Sequence, residues 1–240
     1  MHVPRGLATA RQHLRMLMLG CPGSGKGTLS ARVQRHYGVP IINAGDVLRW
    51  HIAHETEIGR QARDVIHSGQ LMPDAIMMHL IGDRACALGD SDWLLDGFPR
   101  TAGQAHMLLE ALHTQRTPLT LVVNLVVPES VILQRILERW VHIPSGRVYN
   151  LSYNPPRRPG LDDVTGEPLE KRDDDDPAIF KRRIDAFHTQ TEPMIERLRA
   201  ERCVYDPHAP LLVDLAGDTS DAIWPQLRAA IEARSAHLRP

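Results

Sequence analysis

Gly20–Thr28 reads GCPGSGKGT, and the run Leu14–Gly20, LRMLMLG, leads into it. A short apolar run ending in glycine reads as a buried strand, and the residues after Lys26 read as a helix. Strand, glycine loop and helix are the context in which G-x-x-x-x-G-K binds phosphate. Backbone N–H groups then point inward at a helix N-terminus, where the macrodipole favours negative charge. Lys26 reaches the outer phosphates. The loop departs from its general form once: Gly27 stands where serine or threonine is usual, so the first hydroxyl belongs to Thr28. A magnesium ion is therefore expected to be held through water or phosphate rather than firmly by this loop.

Working outward, WLLDGFPR (Trp93–Arg100) reads as a second buried strand and a turn, LTLVVNLVVP (Leu119–Pro128) as a third strand and PLLVDLAG (Pro210–Gly217) as a fourth. Each is nearly continuously apolar, as parallel strands covered on both faces must be. In VPIINAGDVLRWHIA, an apolar start gives way to polar punctuation, and Asp46 fits a first helical turn. Helical patterns such as ESVILQRILERW and PAIFKRRIDAFHTQTEPMIERLRAE alternate with the strands. The fold class is α/β with a parallel sheet. From Val141 to Asp176 the chain is rich in Pro, Gly, Ser and Asp, with a hairpin-like piece in GRVYNLSY. That is too long for an ordinary connection, and a small inserted subdomain over the site explains it.

Of the 240 residues, 42% are apolar, enough for a core, and 28 basic against 29 acidic side chains leave a net charge of -1. No polyanion-coating surface follows from that balance, so nucleic acid is a poor partner. Three separated cysteines without a C-x-x-C pair argue against a disulfide framework or zinc cluster, and no apolar run approaches the roughly 18 residues of a membrane span. The start, MHVPRGLATARQHLR, carries Arg5, Arg11 and Arg15 and no acid. It fits either a mitochondrial targeting segment or a plain basic tail.

GCPGSGKGT resembles the phosphate loop of adenylate kinases, which place glycine after the lysine and threonine next. The likeness continues in order through NAGDVLR, LLDGFPRTAGQ, ERWVHIPSGRVYN, DDVTGEP and KRDDDD, over roughly residues 14 to 235. With TEIG at Thr56–Gly59 and the wording of the inserted segment, it is most similar to the mitochondrial GTP:AMP phosphotransferase branch. The resemblance implies a single kinase core with two insertions, a helical monophosphate-binding hairpin over 43–72 and a lid over 138–175.

It also implies residue roles. Gly23, Ser24, Gly25, Lys26, Gly27, Thr28, Val148 and Tyr149 would bind the donor, with Arg135 and Thr219 near its base and Arg139 on its phosphates. Ala44, Arg49, Gln70, Leu71, Met72, Gly97, Phe98, Pro99, Arg100 and Gln104 would hold AMP, Arg49 and Arg100 on its phosphate and Gln104 on its adenine. Arg172 and Arg183 would meet phosphates, while Lys181 and Arg182 are expected to be solvent charges. Planar guanidinium forks suit phosphoryl oxygens. Four residues apart in VILQRILERW, Arg135 and Arg139 are expected on one helical face. Asp96 would meet Mg²⁺ through water. His142, Ser145, Asp162 and Thr165 would hold the lid together by hydrogen bonds, as in members without zinc. The run Asp173–Asp176 reads as a solvated edge, with Asp173 and Asp174 at most near a hinge or the phosphates. Ala44 replaces the usual serine or threonine, a loss worth about 0.5 to 1.5 kcal/mol on the AMP side.

The implied activity is reversible, magnesium-dependent phosphoryl transfer from GTP or ATP to AMP by a mitochondrial, or alternatively cytoplasmic, monomer. A UMP/CMP-type kinase and a nucleotide-binding regulatory protein with weak transferase activity are the alternatives. No N-K-x-D guanine-reading motif supports a switch GTPase.

Overall fold

The computed structural model describes residues 13–235 and 238. In chain order the elements are β1 (Arg15–Gly20), α1 (Lys26–Tyr37), β2 (Ile41–Asn43), α2 (Ala44–Ala53), α3 (Glu57–Ser68) and α4 (Asp74–Met77). A π-helical turn, Met78–Gly82, joins α4 to α5 (Asp83–Leu88); β3 (Trp93–Asp96), α6 (Ala102–Thr114), β4 (Leu121–Val126) and α7 (Glu129–Leu137) follow. Then come β5 (Arg139–His142), β6 (Arg147–Asn150), α8 (Pro177–Ala186), a second π-helical turn (Phe187–Thr191) and α9 (Glu192–Arg199). The chain ends with β7 (Arg202–Cys203), β8 (Asp206–Pro210), β9 (Leu212–Ala216) and α10 (Ser220–Arg234).

The central sheet runs β2-β3-β1-β4-β9, every pair parallel. Its strands are mostly apolar because alternate side chains enter two different cores. Met16 and Met18 of β1 join Leu94, Leu121 and Val123 on the face covered by α1 and α10. Leu17 and Leu19 join Trp93, Leu95 and Val122 on the other, under α2, α6 and α9. β1 lies between β3 and β4, so the chain leaves the sheet to opposite sides here, and the carboxyl ends of these strands open the crevice where ligands bind in such sheets.

Four expectations change. β2 is an edge strand of three residues, too short to register as a periodic run. The expected fourth strand, Pro210–Gly217, is shorter: Leu212–Ala216 completes the sheet, while Pro210 ends the preceding β8, which pairs antiparallel with β7. Helix α7 ends at Leu137, so Arg139 is not on the helical face of Arg135; it opens β5, which pairs antiparallel with β6. Trp140, Val141 and His142 gain cross-strand partners by leaving the helix, and pairing overrides the helical spacing. Arg15 does not belong to the basic start. It is 1% exposed in β1, donating to the Pro118 carbonyl (2.7 Å), to Asp90 (2.9 Å) and to the Tyr205 hydroxyl (2.7 Å). Arg5 and Arg11 lie outside the described residues.

Between α7 and α8 the chain makes an excursion, a β5–β6 hairpin tied back by an isolated bridge of Val141 to Glu170. Among the described residues no helix is long and apolar enough to cross a membrane.

Candidate active site

β1 ends at Gly20, whose φ of 138° suits glycine, and a Cβ there would stand 2.9 Å from the Leu125 carbonyl of β4. The chain must therefore turn tightly over β4 before entering α1. The Lys26 ammonium folds back and donates to the Gly20 and Cys21 carbonyls at 2.8 and 2.9 Å. Burial drives it down to about 8 against the pull of Asp96, with Arg100 and Arg183 lowering it further. Such a lysine gains most from an arriving anion.

The loop opens into a cleft of about 1050 Å³ that runs beneath the α2–α3 hairpin and under the β5–β6 excursion. Cations converge on it from distant stretches of chain. Arg100 follows β3, where Phe98–Pro99 is cis, and its carbonyl accepts from Thr191 at 2.8 Å. Burial, and next the neighbouring Arg183, push Arg100 down to about 10; burial and then Arg49 do the same to Arg172. The Arg172 Nε is buried without a partner. So many cations in one enclosure predispose it to polyanions.

Carboxylates occupy some of these cations. Arg183 pairs with Asp174 at 2.8 Å, and Arg139 makes a bidentate pair with Asp175, one arm at 2.9 Å. Burial alone would raise the Asp174 carboxyl, but Arg183, Arg49, Arg139 and Arg172 outweigh it and hold it below its ordinary value. On the other side of the cleft, Arg49 pairs with Asp46 at 2.5 Å.

Asp96 ends β3, 2% exposed, with its Oδ2 accepting from Asn43 at 2.8 Å. Asn43 also caps α2 by accepting from the Asp46 N–H. Burial raises the Asp96 carboxyl, opposed by Lys26, Ser30 and Asn43. A Cβ on Gly27 would come no nearer than 3.9 Å to this carboxylate, so the glycine leaves space between loop and acid. A hard oxygen donor facing that space fits Mg²⁺ held through water.

The sequence profile of adenylate kinase matches residues 18–202. The chain belongs to the adenylate kinase family. A Saccharomyces cerevisiae protein described as mitochondrial GTP:AMP phosphotransferase is 47% identical over 219 residues, which span 89% of this chain and 90% of the yeast protein. A Drosophila melanogaster protein of the same description is 37% identical over 220 residues, spanning 92% and 96%.

For this adenylate kinase chain, most residues singled out from the sequence line one cleft. Gly23, Gly25, Lys26, Gly27, Thr28, Arg135, Arg139, Val148, Tyr149 and Thr219 line its P-loop side. Arg49, Gln70, Leu71, Gly97, Pro99 and Arg100 line the hairpin side, with Arg172 and Arg183 also on its wall. Ala44, Met72 and Gln104 line a small adjoining cavity that Gln70, Leu71 and Arg100 also reach. Ser24 and Phe98 stand behind the wall, both buried. Arg135 is 7% exposed and braces the loop, donating to the Ser24 carbonyl at 2.9 Å and the Asp218 carbonyl at 2.8 Å, with the Tyr153 ring 5.7 Å from its guanidinium carbon. The Thr219 hydroxyl caps α10.

In the excursion, His142 contacts Ser145 and Glu167, each at 2.7 Å, while Asp162 lies 4.0 Å from it. The sequence reading missed the main partners of Asp162: Arg147 grips both its oxygens, and the Tyr149 hydroxyl donates to it at 2.9 Å. The phenol of Tyr149 is thus already engaged. Arg182 is exposed and donates to the Ser68 and His67 carbonyls at the end of α3. Asp176 caps α8. Asp174 and Asp175 are buried rather than a solvated edge, because Arg183 and Arg139, which lie outside the acidic run, pair with them.

Proposed function

We propose that the protein catalyses reversible phosphoryl transfer from GTP, with ATP as the alternative donor, to AMP, yielding two nucleoside diphosphates. The ring of cations around one cleft, Lys26 with Arg100, Arg139, Arg172 and Arg183, carries this proposal. Transfer to a phosphate oxygen needs alignment and charge neutralisation rather than a strong base. The loop N–H groups and Lys26 would grip the donor's outer phosphates, and Arg49 and Arg100 the phosphate of AMP. Arg139, Arg172 and Arg183 would neutralise the equatorial oxygens of the group in flight. For Arg139 and Arg183, phosphate must displace Asp175 and Asp174, so nucleotide arrival exchanges one anion for another. Asp96 would hold Mg²⁺ through water, and the bound ion would supply further charge neutralisation.

The α2–α3 hairpin would cover AMP and the β5–β6 excursion would act as a lid over the donor. Closure excludes the water that would otherwise hydrolyse the triphosphate, a gating for which adenylate kinase is an established example. The donor preference and a mitochondrial location are proposed from the names of the relatives. A single chain supplies both sides of the cleft, in keeping with a monomer.

Incubation of the purified protein with Mg²⁺, each common triphosphate and each monophosphate, with diphosphate formation as the readout, tests the proposal. The expected result is AMP-dependent turnover fastest with GTP. Absence of AMP-dependent turnover with every donor overturns it.

A further inference from the structure

Gln104 is a glutamine held so firmly that its amide has one orientation. It is 1% exposed, its Oε1 accepts the Arg100 N–H at 2.8 Å, and its Nε2 donates to Asp74 Oδ1 at 3.0 Å. A backbone N–H only donates and a carboxylate only accepts, so chemistry dictates which end is oxygen. Asp74, the first residue of α4, is itself fixed. The Thr101 hydroxyl donates to the same Oδ1 at 2.8 Å, and Oδ2 lies over Gly103, where any Cβ would collide with it. Gln104 lines the small cavity of about 40 Å³ beneath α2, with Ala44, Met72 and Met77.

We propose that Asp74 is a positioning residue that sets the acceptor base: by locking Gln104, it selects a 6-aminopurine over a 6-oxopurine. This rests on the proposed function, in which Gln104 meets the base of AMP. With one lone pair and one N–H committed to the protein, the amide keeps one of each for the base. Its carbonyl suits the exocyclic amino group of adenine and its N–H the unprotonated N1. A 6-oxopurine offers the reverse, a carbonyl at position 6 and a proton on N1. To match it the amide would have to flip, setting Oε1 against the Asp74 carboxylate and Nε2 against the Arg100 N–H. Two buried hydrogen bonds would be lost and two like groups opposed, which is how a site built to hydrogen-bond rejects an analogue.

Steady-state kinetics with AMP and with IMP at saturating donor test this in wild type, Asp74→Asn and Gly103→Ala, each checked by thermal melting. Asparagine is isosteric and presents either an oxygen or an amino group to Gln104. Alanine at 103 favours the helix but displaces the carboxylate. The expected result is that wild type prefers AMP, and that both variants raise the AMP KM, leave the donor KM unchanged and cut the AMP:IMP ratio of kcat/KM by about tenfold. A merely structural role for Asp74 lowers the melting temperature and both activities together and leaves the ratio alone; that result overturns the inference. Wild type that uses AMP without preferring it to IMP overturns it equally. Wild type inactive on AMP overturns the proposed function, and the role of Asp74 with it.

Discussion

Nucleotide binding should take up a proton, and Lys26 should be the group that takes it. Enclosed by the loop, its ammonium is pushed from 10.5 down to about 8, chiefly by burial, with Asp96 pulling the other way. A triphosphate beside it replaces two carbonyl dipoles with full negative charges. If that returns the lysine to its ordinary value, the charged form gains about 3 kcal/mol. Uptake on binding is then about 0.1 proton at pH 7, about half at pH 8 and about 0.9 at pH 9. Competing sources are remote in pH. The terminal phosphate titrates roughly two units lower, and burial lifts the Cys21 thiol to about 11. The same depression means that the free folded chain binds fewer protons than the unfolded one between about 8 and 10.5, so its stability rises with pH there. Calorimetric titration with a non-hydrolysable triphosphate, in buffers of different ionisation enthalpy, measures the uptake directly. Lys26→Arg keeps the charge at every pH and should abolish it. Heats independent of buffer at pH 8 to 9, or equal uptake in the arginine variant, would refute the reasoning.

Acid should loosen the excursion before the core. Hydrogen bonds from Arg147 hold the Asp162 carboxyl well below its ordinary value of 3.8, so its contribution is present above that value and fades as the pH falls below it. Hydrogen exchange at low pH should therefore show residues 139–170 losing protection while β1 keeps it, and a uniform loss would contradict this. Gly59→Ala should cost about 1–3 kcal/mol, because the Cβ would collide with the His51 carbonyl where α3 folds back on α2. Thermal denaturation checks the cost, and kinetics should show a raised AMP KM with an unchanged donor KM; a neutral variant would mean that the helices need no such close approach.

How much was legible depended on how local the cause was. The strand, glycine loop and Lys26 were readable because every backbone donor they need lies within a few residues. Continuous apolar runs announced β1, β3 and β4, since a strand buried on both faces has no polar alternation to show. β2 was illegible, as three residues carry no period. Arg139 misled because helical spacing extends past Leu137, and only the partner strand β6, eight residues on, ends the helix in its favour.

The chain's α/β class, its phosphate loop and its family were thus settled by residues adjacent in sequence, whose geometry the backbone enforces locally. Pairings across long separations were left to the tertiary fold. Arg15 reads as part of a basic leader until Tyr205 arrives 190 residues later, and the acidic run reads as solvated until Arg139 and Arg183 meet Asp175 and Asp174. Asp74 had no signature at all, because its meaning lies in a hydrogen bond to Gln104, thirty positions away. A buried charge or amide takes its role from whatever partner compensates its lost hydration, and only packing of the whole chain decides which partner that is.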